Sequence, residues 1–336
     1  MKIRYLPVVL LLFALLLASC GTAVEPGKPT GDGTDVSDPD SRTENLTGTD
    51  DGLPTSATPE TDSGSDHGGD GTDEPARYLR VDQAGEKDPA GGYLLFGEYP
   101  QTAMAEGVTL TDGTDERGYR IGSDGASYAQ QGDDWFRMEP ILWRILSEED
   151  GRVLLLSERI LDAHDYGENN GYASSDLRAW LNGGFADTAF GEEDRSLIAV
   201  AEVNNSARST NPASNAAQWN RGSNPYAGDA TADAVFLLSV EEVTDPAYGF
   251  SDGYADDDPA RAMPVSDYAR ARGVPVTTGS EYDGNGWWWL RSPVFNEADG
   301  VRAVYRSGHA ALTVQSTASS GGVVPALYLN TVSAAE

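Results

Sequence analysis

Apolar residues form one early block in this chain, then nearly vanish, then return in short runs. The early block, residues 6–17, is continuous and follows the basic Lys2 and Arg4. It is shorter than the roughly 20 residues that a membrane-spanning helix needs, so it has the layout of an export signal. Residues 21–76 are almost entirely Gly, Thr, Ser, Asp and Pro, with too few apolar side chains to offset the entropy lost on ordering. From Arg77 onward, apolar runs bounded by Gly, Pro, Asp or Ser predict strands at 93–96, 141–146, 153–157, 287–291, 301–305, 311–314 and 323–329.

Three stretches read as helices instead. Residues 174–181 open with the cap residues Ser174, Ser175 and Asp176 and should stop before Gly183 and Gly184. Residues 239–243 pair Ser239 with Glu242 three positions on, the pattern of a capping box, and a third helix is expected near 264–272. Many short strands and few helices predict a single α+β domain over 77–333. Before it stand a signal peptide at 1–19 and a disordered linker at 20–76.

Composition sharpens the picture at the N-terminus. The chain has one cysteine, Cys20, and Leu17-Ala18-Ser19-Cys20 followed by Gly21 resembles the bacterial lipobox. That resemblance implies lipidation of Cys20 and cleavage before it, giving a protein held to the cell membrane by lipid and facing outside the cytoplasm. Using Cys20 in this way leaves none for a disulfide, a thiolate metal site or a cysteine nucleophile. The net charge of −31 makes polyanionic nucleic acid a poor partner.

A series of phrases runs through the domain: Phe96-Gly-Glu-Tyr-Pro-Gln101, Ile141-Leu-Trp-Arg-Ile-Leu-Ser147, Leu177-Arg-Ala-Trp-Leu-Asn182, Asp233-Ala-Val-Phe-Leu-Leu-Ser239, Trp288-Trp-Leu-Arg-Ser-Pro293 and Val323-Val-Pro-Ala-Leu327. In wording and order they resemble a bacterial family named only as domain of unknown function sixty-two seventy-three. Its closing phrase normally reads Gly-Val-Arg-Pro-Ala-Leu, and Val324 stands here in place of the arginine. The Trp288, Trp289, Arg291 and Pro325 motif also looks like the C-type lectin-like fold shared by sulfatase-activating enzymes, which implies a fold and no chemistry. Sulfatase activation uses cysteine, and the domain has none.

Little else in the domain carries a chemical signature. His164 sits among Asp162, Asp165 and Glu168, a cluster able to hold a metal but more ordinary as a solvated loop. Asp252, Asp256, Asp257 and Asp258 could offer Ca²⁺ a set of loop oxygens, although the Glu-Pro-Asn and Trp-Asn-Asp phrases of calcium-dependent lectins are absent. No cofactor is therefore expected. Strand alternation places Trp288 on one face and Trp287, Trp289 and Arg291 on the other, with Arg291 expected to stack on a tryptophan or pair with a buried acid.

The polar stretch 204–233 is long for a loop in a compact domain, and Trp219 and Tyr226 offer aromatic faces beside Asn220, Asn224 and Asp229. It is the expected ligand-binding segment, with self-packing of the two aromatics as the competing reading. Three functions remain open: a non-catalytic surface module binding glycan or a protein or peptide partner, a structural envelope protein with no small ligand, and a hydrolase using two carboxylates.

Overall fold

A computed structural model describes residues 79–81, 91–210, 223–295, 297–318 and 320–330, all within one unit, Asp70–Glu336. The signal peptide, Cys20 and the linker lie outside the described residues. So do Trp219 and Asn220.

Among the described residues the chain is mostly antiparallel strand with a few short helices, an α+β arrangement. A ten-stranded sheet is built around the 16-residue strand Asp134–Glu149. One side of this strand pairs with Tyr93–Ala103; the other pairs first with Ser127–Gln131 and then with Arg152–Ser157. Ile141, Trp143 and Ile145 alternate into the core, and the Trp143 indole donates to the Phe96 carbonyl at 2.8 Å. Arg144 points the other way yet is also buried, paired with Glu158 at 2.6 Å and set over the Phe250 ring.

A second, five-stranded sheet runs in the order Leu312–Gln315, Gly300–Val304, Trp288–Pro293, Gly322–Val323, Asp162–Ala163. Every residue of Trp288–Pro293 is buried, so this strand is covered on both faces and simple alternation does not sort its tryptophans into core and surface. Trp288 donates to the Arg261 carbonyl, Trp289 donates to the His164 carbonyl, and Trp287 meets Trp289 edge-on at 4.9 Å. Arg291 is 1% exposed and lies over Phe236, not over a tryptophan. Its guanidinium donates to both carboxylate oxygens of Glu242, at 2.9 Å from Nη2. Glu242 also closes the capping box with Ser239, accepting from the Ser239 amide at 2.7 Å, so a cap and an ion pair share one carboxylate.

The sequence pattern at 323–329 suggests one strand, but the chain there makes two. Gly322–Val323 belongs to the five-stranded sheet and Ala326–Asn330 to the ten-stranded one. Pro325 falls at the crossing, where a residue without an N–H costs no ladder bond, and its carbonyl still accepts from the Ser157 amide. Val324 is fully buried there.

The helix expected to stop before Gly183 continues instead. An α-turn at Asp176–Trp180 passes into a π-turn, Leu181–Phe185, and then Ala186–Ala189. Leu181, Phe185 and Ala189 recur every four residues and are buried, and Asn182 ties the turn to the neighbouring strand by donating to the Val235 carbonyl and accepting from the Ala234 and Val235 amides. Burial and these bonds outweigh the glycine penalty of about 1 kcal/mol per residue.

Candidate functional site

A groove forms where the hairpin of Ser127–Gln131 and Asp134–Glu149 approaches the helix Asp267–Ala271. The hairpin turns at Gly132, whose φ of 62° suits glycine, and its tip carries Asp133, Asp134 and Trp135. Ser266 caps the facing helix by accepting from the Ala269 amide at 3.0 Å, and Asp267 in its first turn suits the positive end of the helix dipole.

The helix is held from beneath by Asp162, which is 2% exposed. Tyr99 donates to its Oδ2 at 2.6 Å, and Arg272, just past the helix, donates to its Oδ1 at 2.9 Å. Tyr268 meets Tyr99 and Phe136 edge-on at 5.8 and 5.3 Å. Burial first, then the Asp162 charge, pushes the Tyr268 phenol up to about 12 and holds the Tyr99 phenol well above its usual value. These contacts join both sheets to the helix, so the groove wall is fixed before any ligand arrives.

Two hollows flank Asp267, and Asp267 lines both. The larger, about 440 Å³, has Met104, Phe136 and Ala271 among its apolar lining, with Trp135, Asp133, Asp134 and Arg270 around them. The smaller, about 100 Å³, is polar, with Gln101, Thr102, Glu139 and Arg159. Asp267 accepts from the Ala103 amide at 3.1 Å, which links its strand and helix walls. The larger hollow falls within the size range of small-ligand sites, and Trp135 is only partly buried, so part of its indole is open to a ligand.

Other hollows offer less. One of about 460 Å³ is lined by Gly97, Arg117, Pro140, Gly191 and Asp194, but its aromatic residue, Phe96, is 2% exposed, and Arg117 is spent on the Thr188 carbonyl and the Tyr119 ring. A recess beside Trp287, Tyr305 and Arg306 measures about 110 Å³, too small for more than one side chain.

The expected ligand-binding segment looks different in the structure. Asn224 is 7% exposed and faces inward, donating to the Pro293 carbonyl and the Thr210 hydroxyl while accepting from the Tyr226 amide. Its amide is consumed in holding the loop, which corrects its placement among ligand-facing residues. Tyr226 is partly buried and Asp229 exposed, the latter lending its carbonyl to Asn205.

The acidic loop at 252–258 is organised around a cation that belongs to the chain. Arg261, fully buried, donates to the carbonyls of Ser251, Gly253 and Asp256, and to those of Val243 and Gly308, with Asp258 at 3.4 Å. The loop oxygens that Ca²⁺ would need are therefore turned onto a guanidinium. Asp257 faces outward and accepts from Ser307 and Tyr282, and the Ser307 bond is the first cause of its lowered pKa. Around His164, Asp162 turns inward to Tyr99 while the imidazole packs against Trp180 at 4.9 Å. Among the described residues no group of three or more His, Cys, Asp or Glu is arranged to hold a metal.

Sequence reasoning missed Trp135 and Asp267 as partners. The signal lay in Gly132-Asp133-Asp134-Trp135, a turn glycine followed by acids and an aromatic, but nothing in one dimension pairs that tip with a helix more than a hundred residues later. A family model described as Domain of unknown function (DUF6273) matches residues 150–331. No curated protein and no solved structure matches the chain. The matched stretch supplies the groove wall with Arg159, Asp267 and Arg270, while the residues before it supply Trp135.

Proposed function

The chain belongs to the DUF6273 family, whose name assigns no activity, and from that premise we propose that it is a non-catalytic binding module that grips a glycan in the groove between Trp135 and Asp267. The observation that carries this reading is the partly open Trp135 indole beside an apolar floor, three carboxylates (Asp133, Asp134 and Asp267) and the Arg270 guanidinium. An indole stacks on the apolar face of a sugar ring, and Asp, Glu and Arg hydrogen-bond its hydroxyls.

The lipobox-like Leu17-Ala18-Ser19-Cys20 and the polar stretch after it fit the same reading: a lipid at Cys20 holds the chain to the membrane and the linker lifts the domain toward its ligand. The fold is proposed to be C-type lectin-like, on the Trp288-Trp-Leu-Arg-Ser strand and the closing Pro-Ala-Leu strand. No helix of the described residues is long and apolar enough to cross a membrane.

Calorimetric titration of the full chain with a panel of soluble oligosaccharides tests the proposal. Trp135→Ala should weaken the best ligand by tenfold or more, about 1.4 kcal/mol, while Tyr226→Ala leaves it unchanged. Equal loss in Tyr226→Ala with none in Trp135→Ala moves the site to the 204–233 segment.

A further inference from the structure

The larger hollow presents charges of both signs that the protein leaves uncommitted. Among the described residues, no donor reaches the carboxylates of Asp133 and Asp134, and the Arg270 guanidinium has no hydrogen-bond or ion-pair partner, although all three line one hollow of about 440 Å³. Had Arg270 stood against either aspartate, it would have closed an ion pair, as the chain's other arginines do with Glu158, Asp162, Asp233 and Glu242. Asp133, Asp134 and Arg270 are instead exposed on the rim of the hollow and open to a ligand.

Lysine use points the same way. Lysine occurs only at Lys2, Lys28 and Lys87, so the 91–336 stretch supplies no flexible ammonium of its own to fold over the acidic rim. Asp133 and Asp134 stay open to an ammonium from outside, and the net charge of −31 steers cations toward the surface. The indole of Trp135 adds a face on which an ammonium is favoured as well as a sugar.

Resting on the glycan reading above, we propose that the ligand is zwitterionic: a sugar carrying a free ammonium group, received by Asp133 and Asp134, and a carboxylate, received by Arg270. A neutral sugar satisfies the indole but leaves these charges unmatched. An anionic sugar meets Arg270 and is repelled by the aspartates.

Four β-linked oligosaccharides of equal length separate these cases on the full chain: N-acetylglucosamine, glucosamine, glucosamine with O-carboxymethyl groups, and a glucuronate-containing anionic oligomer. The carboxymethylated glucosamine oligomer is expected to bind at least tenfold more tightly than the N-acetylated one. Arg270→Gln should bring the ratio of the affinities for the carboxymethylated and the plain glucosamine oligomers down to about one, whereas Tyr226→Ala, outside the groove, leaves that ratio unchanged. Asp133→Asn with Asp134→Asn should remove the advantage of both amine-bearing oligomers. Equal binding of N-acetylated and carboxymethylated oligomers overturns the zwitterionic inference and leaves the groove reading standing. Failure of all four to bind overturns both.

Discussion

Arg291 and Glu242 form a buried pair in which the two partners are not equally placed. Arg291 is 1% exposed, whereas the Glu242 side chain keeps 24% of its exposure. Removing one partner of a buried pair strands the other, and the cost depends on how much water the stranded charge can reach. Glu242→Gln preserves the cap on the Ser239 amide but leaves a buried guanidinium uncompensated, so it should destabilise by about 3–5 kcal/mol. Arg291→Met leaves a partly hydrated carboxylate and an apolar stem in the same space, and should cost less; urea unfolding of the two variants gives the order. A second residue-scale effect is alkaline. The unfolded chain gives up tyrosine protons near pH 10, while folded Tyr268 holds its own to about 12. Stability is therefore full below pH 10 and falls as pH rises from 10 through about 12. Unfolding midpoints measured across that window should fall less steeply in Tyr268→Phe than in the parent.

At the scale of elements, the helix Asp267–Ala271 is only five residues long, so its cap and packing matter more than its propensity. Ser266→Ala removes the bond to the Ala269 amide and should cost about 1 kcal/mol of stability. Because Asp267 and Arg270 ride on that helix, the same substitution should also weaken oligosaccharide binding in titration, even though Ser266 itself is 2% exposed. This helix was legible in the sequence, as were the strands around Ile141 to Leu146 and Val153 to Ser157, because apolar runs bounded by turn residues are a local signal. The strands Leu110–Thr114, Arg120–Gly122 and Ser127–Gln131 were not: the first is mostly exposed, the other two are mostly only partly buried, and none carries apolar alternation in its sequence; their pairing is held by backbone bonds. The break at Pro325 was missed for a different reason. Seven apolar-looking positions read as one strand, and only the existence of two sheets divides them.

For the whole molecule, charge and site follow one logic. The chain is strongly acidic, and the arginines it buries, Arg144, Arg261, Arg291 and Arg302, have carboxylate or carbonyl partners, so internal cations tie the loops and sheets together. Arg261 does this for the acidic loop, and Gly308 allows the close approach it needs: at φ 89°, an added Cβ would fall 1.9 Å from the Asp258 carbonyl oxygen. Sequence could suggest a binding module, through the absence of catalytic motifs and the lipobox-like start, but not the groove, which joins a hairpin before the family-matched stretch to a helix inside it. The most direct measurement is hydroxyl-radical footprinting of the full chain with and without a saturating oligosaccharide. Occupation of the groove predicts that Trp135 and Met104 lose reactivity while Trp287 and Tyr305, in the small recess, keep theirs. Protection at Trp287 and Tyr305, with Trp135 unchanged, would contradict it.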